Sequence, residues 1–264
     1  MPQTAELDAP PVWGTVDFLS DLHLHADQDA TFAAWQHYME STPADAVFML
    51  GDLFEAWVGD DAVSDDVAHA AQARSFEDRC ARVMGQTASR LALFFMHGNR
   101  DFLVGERLMD LCNTTLLSDP TVLAFNHQRC LLSHGDALCL ADVDYMAFRQ
   151  QVRSAAWQSD FLAKPLPARQ AIARGLRQQS QARHDKRQQS GIAYADVDNA
   201  AALAQLHGAN AHILIHGHTH QPAVHDLGHG FSRVVLSDWD ACAAVPRAEV
   251  LRLTASGLRR ISLL

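Results

Sequence analysis

Aspartate, asparagine and histidine recur in this sequence at the ends of apolar runs. The motifs that carry them are, in chain order, SDLHL, GDLFE, GNRD, HGD and HGHTH. Their metal-binding candidates are Asp21, His23, Asp52, Asn99, His134, His216 and His218. Hard oxygen and imidazole donors without a thiolate suit Mn, Fe or Zn better than a soft metal. There are enough donors for two ions, and Asp52 is the candidate bridge because each carboxylate oxygen can bind a different cation.

Two ions held about 3.5–4 Å apart can activate a water molecule and stabilise both the attacking and the leaving oxygen of a phosphoryl displacement. The motifs therefore indicate phosphoester hydrolysis. Each motif alone has a simpler interpretation: SDLH can cap a helix or turn, GD and GNRD are common in turns, and HGD can hold an ordinary loop histidine. The ordered recurrence of all five motifs favours a site.

The apolar runs in front of these motifs predict β-strands. Segments such as DATFAAWQHYME and DDVAHAAQARSFEDRCARVMGQ lie between the first three runs and have apolar residues at helical spacing. This alternation predicts an α/β domain whose strands are buried on both faces. Ligands bind such sheets at the carboxyl ends of the strands, so the motifs should meet at one edge. Three later runs, VVLSDWD, AEVLRLTAS and GLRRISLL, predict short strands that close a second sheet.

Length and composition exclude several classes of protein. With 264 residues, 48% of them hydrophobic, the chain can bury a full core in one domain, with or without an insertion. A formal charge of −10 disfavours a nucleic-acid binder. No run approaches the roughly 18 apolar residues of a membrane span, and the start lacks a signal-peptide pattern, which predicts a cytoplasmic protein. Five cysteines without a CxxC pair favour reduced thiols.

The ordered motifs resemble those of the calcineurin-like metallophosphoesterases, whose pattern is D-x-H, GD, GN followed by H or R and then D, H, and GHxH. The resemblance covers residues 17–239. It implies an α/β (α+β) fold of two mixed β-sheets flanked by helices, forming a domain over residues 12–264 with a dimetal site at one edge. It also implies the two ligand sets, which are Asp21, His23, Asp52 and His218 for one ion and Asp52, Asn99, His134 and His216 for the other. The third histidine of HGHTH, His220, has no ligand role in the pattern.

One departure narrows the resemblance. Many members have histidine after the GN asparagine, where it can protonate a leaving group, whereas this chain has Arg100. A guanidinium cannot act as a general acid near neutral pH, but it can clamp two phosphate oxygens, which suits a diphosphate. Together with GDLFEAW and HTHQPAVH, this arginine makes the chain resemble the branch of the family that cleaves the pyrophosphate of UDP-2,3-diacylglucosamine to UMP and 2,3-diacylglucosamine 1-phosphate (lipid X) in lipid A synthesis.

That closer resemblance implies two Mn²⁺ ions per chain and attack by a metal-activated water. It implies catalytic roles for Asp52, His134 and Arg100. Substrate contacts are implied for Asn99, Arg100, Asp142, Ser180, His184, Arg187 and His216.

Residues 141–195 are predicted to form a helical lid inserted into the domain. Basic residues outnumber acidic ones there, although the whole chain is acidic. A lid that presents apolar residues beside arginines would suit a two-chain lipid with an anionic head. Such a lid could also rest on the cytoplasmic face of the inner membrane, which would make this a peripheral membrane protein. A solvated helix face and ordinary core packing are the alternatives for this segment.

Three functions stay open from the sequence. The first is a lipid-nucleotide pyrophosphatase, acting as a monomer without nucleic-acid partners. The second is a metallophosphoesterase acting on a soluble nucleotide, and the third is a non-catalytic metal-binding scaffold. The complete ligand set disfavours the scaffold, while Arg100 and the predicted lid favour a lipid substrate.

Overall fold

The computed structural model of the protein describes residues 4–65, 67, 75–189 and 195–264, with the side chains of 179–189 outside that description. Strands and helices alternate over the first part of the chain, as predicted for the first three apolar runs. The strands are β1 Ala5–Asp8, β2 Thr15–Leu19, β3 Ala46–Leu50, β4 Ala92–Met96, β5 Thr115–Leu117, β6 Thr121–Phe125, β7 Gln128–Leu132, β8 Ile213–His216, β9 Ala223–Gly228, β10 Phe231–Val235, β11 Glu249–Thr254 and β12 Gly257–Ser262. The α-helices are α1 Asp29–Ser41, α2 Phe76–Ala88, α3 Glu106–Leu111, α4 Val143–Val152, α5 Ala155–Leu162, α6 Leu166–Gln189 and α7 Asn199–Ala209.

The strands form two mixed sheets, which confirms the predicted fold class. The first sheet has the order β12-β11-β2-β3-β4-β5, and the second has the order β1-β6-β7-β8-β10-β9. Strands β2, β3 and β4 are parallel neighbours in the first sheet, and β7 and β8 are parallel neighbours in the second. The five motifs follow or end these five strands, as the apolar runs predicted.

The prediction that the last three strands close a second sheet is wrong for two of them. Strand β10 joins the second sheet beside β8, but β11 pairs antiparallel with β2 and carries β12 onto the edge of the first sheet. An apolar run specifies a buried strand without specifying its partner, because the main-chain hydrogen bonds are the same in either sheet. The second sheet instead gains β1, so the folded chain includes residues before position 12.

The core has three layers of apolar contacts. Between the sheets, Phe48 stacks on Phe94 with ring centroids 4.4 Å apart. Trp35 of α1 is buried in the layer that covers the outer face of the first sheet, and Leu206 of α7 is buried against the second. Because both faces of each sheet are covered, the central strands are held rigidly and their carboxyl ends are fixed in space.

Of the helical segment predicted between the second and third motifs, the structure describes the C-terminal part as α2. Residue 65 is in a turn, residues 66 and 68–74 lie outside the described part, and α2 begins at Phe76. The Ser75 side chain accepts a hydrogen bond from the Asp78 backbone N–H at 3.0 Å, which is a standard N-cap. The cap fixes the start of α2.

Helices α4, α5 and α6 form a segment that follows the HGD motif; we call it the three-helix segment. Within it, Trp157 stacks on Phe161 at 4.8 Å, and Phe161 is buried in the core, whereas Leu162 remains exposed. Trp157 and Phe161 therefore attach the segment to the domain instead of facing solvent on the predicted lid. In the described residues, no helix is both long and apolar enough to cross a membrane.

Candidate metal centre

The loops that follow the five strands place several side chains in strained backbone conformations. Positive φ angles occur at Asp21 (56°), His23 (48°), Asp52 (52°), His218 (67°) and His220 (52°). This left-handed region is unfavourable for residues with a Cβ, at a cost of order 1–3 kcal/mol each, and such residues cluster at functional sites. The loops therefore accept strain to point these side chains at one place.

Two glycines of the motifs are required by close approach. A Cβ on Gly98 would lie 2.1 Å from Asp52 Oδ1, and one on Gly217 would lie 2.2 Å from Asp21 Oδ2. Any side chain at either position would displace a carboxylate of the site. The glycines of GNRD and HGHTH thus permit the loops to converge.

Asp21 and Asp52 are buried at the centre of the convergence. Asp21 accepts hydrogen bonds from Ser20 Oγ at 2.5 Å and from the His218 backbone N–H at 2.9 Å. Asp52 Oδ1 accepts one from the Arg100 backbone N–H at 2.8 Å. Two neighbouring buried carboxylates, held in place by donors from other loops, form an anionic centre that favours a cation.

His134 and His218 meet at Asn99. The Leu50 carbonyl accepts from His134 Nδ1 at 3.0 Å, which leaves Nε2 facing Asp52 Oδ1 at 3.7 Å and Asn99 Oδ1 at 3.1 Å. His218 Nδ1 lies 2.8 Å from the same Asn99 oxygen. The fixed tautomer presents the unprotonated ring nitrogen of neutral His134 to the centre, as a metal ligand requires.

The charges of these groups are strongly coupled. Burial opposes the charged form of Asp21, yet the imidazoles of His220, His134 and His23 hold its pKa well below the ordinary value. Burial also opposes protonation of His134, but Asp52 and Asp21 raise its pKa to about 9. In the absence of other cations, the carboxylates thus draw a proton onto His134. A bound metal ion would supply that positive charge instead.

The donor set fits divalent cations. Asp21, His23 and His220 each bring one ligand atom within 4.8 Å of the others, and so do Asp21, Asp52 and His134. Asp21 is common to both groups, whereas the ligand sets implied by the sequence share Asp52. His220, which the sequence pattern left without a ligand role, lies 3.3 Å from Asp21 Oδ1 and 3.3 Å from His23 Nε2.

His216 lies beside this cluster rather than within either group. Its Nδ1 donates to the Gly217 carbonyl at 2.8 Å, and its Nε2 lies 3.3 Å from a guanidinium nitrogen of Arg233. Burial and Arg233 lower the pKa of His216 to about 4, so the ring is neutral. A neutral imidazole is the form that binds a metal ion.

Of the remaining predicted substrate residues, the structure describes the side chains of Asp142 and Arg100. Asp142 caps α4, where its side chain accepts from the Tyr145 backbone N–H at 3.3 Å. The side chains of Ser180, His184 and Arg187 lie outside the described residues. Arg100 is partly exposed and lies beside the centre, with Nη1 3.5 Å from Glu55.

Three acids that support the site, the buried Asp101 and Asp136 and the half-buried Glu55, were missed in the sequence, although each stands inside a quoted motif. Asp101 accepts hydrogen bonds from the backbone N–H groups of Gly98 and Leu53, which joins the loops after β4 and β3. Glu55 contacts His23 and Arg100. Asp136 contacts the three-helix segment. Their positions inside the motifs could have marked them as site candidates. Their roles could not be predicted, because their partners are remote in sequence.

Asp136 anchors α4 to the loop that carries His134. It accepts from Tyr145 Oη at 2.5 Å and from Arg149 Nε at 2.7 Å. Burial opposes its charged form, but His134 and Arg149 hold its pKa well below the ordinary value. Asp136→Asn is expected to lower the free energy of unfolding by about 1–3 kcal/mol, because hydrogen bonds to a buried charge are weakened. Urea unfolding, with exposed Asp160→Asn of α5 as the control, measures this. Equal stability of the two variants would show that Asp136 is no anchor.

Comparison with known proteins gives a consistent family. The sequence profile of the calcineurin-like phosphoesterases matches residues 14–222. A UDP-2,3-diacylglucosamine hydrolase from Cellvibrio japonicus is 40% identical over 227 residues, covering 84% of this chain and 90% of that protein. The hydrolase of the same name from Ralstonia nicotianae is 40% identical over 261 residues, covering 96% of this chain and 94% of that protein.

Proposed function

The chain belongs to the calcineurin-like phosphoesterase family, and we propose that it hydrolyses the pyrophosphate bond of UDP-2,3-diacylglucosamine to UMP and 2,3-diacylglucosamine 1-phosphate. The observation that carries the proposal is the buried centre of Asp21, Asp52 and His134, reached by loops from both sheets. The names of relatives that match most of the chain supply the substrate. By the same argument, the reaction belongs to lipid A synthesis.

The resident cofactor we propose is a pair of Mn²⁺ ions. The proposed ligands are Asp21, His23, Asp52 and His218 for one ion and Asp52, Asn99, His134 and His216 for the other. When bound, such ions supply Lewis acidity toward phosphate oxygens and lower the pKa of the attacking water. Oxygen and neutral imidazole donors suit Mn²⁺, and the fixed tautomer of His134 leaves one ring nitrogen available.

Arg100 can support the reaction through two groups, its backbone N–H and its guanidinium. Its backbone N–H fixes Asp52, while its guanidinium lies at the partly exposed rim of the centre. There it can bind two oxygens of a diphosphate and neutralise charge on the departing phosphate. A planar guanidinium that stays charged at all working pH values does this without transferring a proton.

The three-helix segment is proposed as the lid that binds the acyl chains. Large apolar side chains are exposed on it and just before it: Leu140, Val143, Leu162 and Ile172. Exposed apolar residues beside a basic helix suit both a lipid tail and an anionic membrane surface. We accordingly place the protein at the cytoplasmic face of the inner membrane as a peripheral monomer.

The two alternatives are not favoured. A scaffold would not need two buried carboxylates in converging loops, and left-handed conformations such as theirs cluster at functional sites. A soluble nucleotide would leave the exposed apolar residues of the three-helix segment without a role. Product analysis with UDP-2,3-diacylglucosamine beside a panel of soluble nucleotides tests the choice. UMP and 2,3-diacylglucosamine 1-phosphate are the expected products, and selective cleavage of a soluble nucleotide would refute the substrate.

Arg100→Lys is expected to lower kcat/KM by about 10–100-fold, because lysine keeps the charge but loses the planar pair of donors, worth about 1.5–3 kcal/mol. Bound Mn²⁺ should stay unchanged, since the backbone N–H that fixes Asp52 remains. Steady-state kinetics and metal analysis measure both quantities. Arg247→Lys, in a pair with Asp238, is the matched control. Unaltered kinetics, or loss of metal, would remove Arg100 from the substrate role.

A further inference from the structure

Glu55 joins three groups that come from separate parts of the chain. Its Oε2 lies 3.3 Å from His23 Nδ1, in the loop after β2. Its Oε1 lies 3.5 Å from Arg100 Nη1, in the loop after β4, and 2.8 Å from Arg177 Nε, on α6. One carboxylate thus contacts a candidate metal ligand, the candidate phosphate clamp and the three-helix segment.

The backbone of Glu55 is fixed beside the metal centre. The Glu55 N–H donates to the Leu24 carbonyl at 3.1 Å, and the Leu24 N–H donates to the Leu53 carbonyl at 2.8 Å. These bonds extend the pairing of β2 and β3 past the ends of both strands. The position of Glu55 relative to His23 is therefore set by main-chain hydrogen bonds, and its side chain needs little reordering to act on the ring.

The charge environment keeps Glu55 ionised. Its side chain is only 12% exposed, and burial alone would raise its pKa. His23, Arg100 and Arg177 together hold that pKa below its ordinary value. A carboxylate this buried is costly unless it is paired, and all three of its partners belong to the site or lie over it.

The two ring nitrogens of His23 face different residues on opposite sides of the ring. Its Nε2 faces His220 at 3.3 Å, on the side of the metal centre, while its Nδ1 faces Glu55. A carboxylate at the nitrogen that does not bind metal orients the ring and makes the binding nitrogen more basic. Glu55 stands where such a group would stand.

We propose that Glu55 is a positioning residue that aims His23 at the metal centre and holds Arg100 and α6 in place beside it. This inference rests on the proposed function, because it assigns His23 and Arg100 to the hydrolytic site. Glu55 itself contacts no reacting atom. Its carboxylate makes the geometry of the metal site, the phosphate clamp and the three-helix segment depend on one another.

Glu55→Gln tests the role because glutamine keeps the size of the side chain but removes its charge. Glu249→Gln is the matched control: Glu249 also pairs with an arginine, Arg260 at 2.6 Å, on the far strands of the first sheet. The measurements are Mn²⁺ affinity by electron paramagnetic resonance of the free ion, amide hydrogen exchange over residues 166–178, and the separate values of kcat and KM.

We expect Glu55→Gln to weaken Mn²⁺ binding by about 10–100-fold, the usual effect of removing a carboxylate behind a metal-binding histidine. Amide exchange in 166–178 should become faster. At saturating Mn²⁺, kcat should largely recover while KM stays raised, because Arg100 is no longer held. Glu55→Asp, which keeps the charge, should restore part of the Mn²⁺ affinity.

Mn²⁺ affinity and amide exchange equal to those of Glu249→Gln would overturn the inference, as would lost activity without a change in either. These two readouts need no substrate. They therefore decide the role of Glu55 even if the wild-type protein proves inactive on the proposed lipid nucleotide, which would refute the proposed function alone.

Discussion

Asp52→Ala is expected to lower turnover by at least about 10²–10³-fold, the range seen when a single pre-organised hydrogen-bond donor is lost from a reaction centre. Asp52 is buried, its Oδ1 lies 3.7 Å from His134 Nε2, and the proposed ligand sets make it a contact of both ions. Removing it should therefore lower the metal content as well as the rate. Turnover with Mn²⁺ and metal analysis of the purified variant measure the two effects.

A matched control separates this effect from a loss of folding. Asp226→Ala removes an exposed carboxylate from β9, where it accepts from the Gly228 backbone N–H at 2.8 Å, and should leave turnover unchanged. Near wild-type turnover with Mn²⁺ in Asp52→Ala would refute the dimetal assignment. Loss of activity together with loss of cooperative unfolding would require the milder Asp52→Asn, for which the same fall in rate is expected.

A UDP-sugar without acyl chains is expected to be a poorer substrate by at least about 10²-fold in kcat/KM. Each methylene removed from water contributes roughly 0.8 kcal/mol, so even partial burial of two chains outweighs the cost of ordering them. The exposed side chains that could receive them are Leu140, Val143, Leu162 and Ile172. Kinetics on acylated and unacylated substrates of the same headgroup measure the ratio.

Val143→Ser narrows this test to the three-helix segment. Val143 is 72% exposed at the start of α4, and Val224, 67% exposed on β9, offers a matched substitution away from it. Val143→Ser should lower kcat/KM for the acylated substrate alone. Val224→Ser should leave kcat/KM unchanged for both the acylated and the unacylated substrate. Equal efficiency on acylated and unacylated substrates would leave the dimetal chemistry standing but reject the lipid-binding role of the segment.

The sequence predicted the sheet edge well because two independent signals coincide there. A run such as AVFML predicts a buried strand, and the GD that follows it predicts the turn that presents Asp52. Partners that are remote in the chain were not predictable. β11 could have joined either sheet, and only the structure shows its pairing with β2.

The site residues that were missed also depend on partners that are remote in the chain. Glu55, Asp101 and Asp136 were visible in the motifs, but their roles depend on which loops lie beside them. The sequence pattern gave His220 no ligand role, and its approach to Asp21 depends on a left-handed backbone conformation that a non-glycine residue rarely adopts. Local pattern predicts which residues are polar at a strand end, whereas contacts between loops require the folded chain.

Hydrolysis of UDP-2,3-diacylglucosamine in ¹⁸O-labelled water tests the proposed reaction most directly. If water attacks the uridine-side phosphorus at the centre formed by Asp21, Asp52 and His134, UMP gains one labelled oxygen. The 2,3-diacylglucosamine 1-phosphate departs with its original bridging oxygen and gains none. Mass spectrometry of both products reads the outcome, with Asp52→Ala as the inactive reference. Label in the lipid phosphate, or wild-type protein that releases no UMP in the presence of Mn²⁺, would contradict the account.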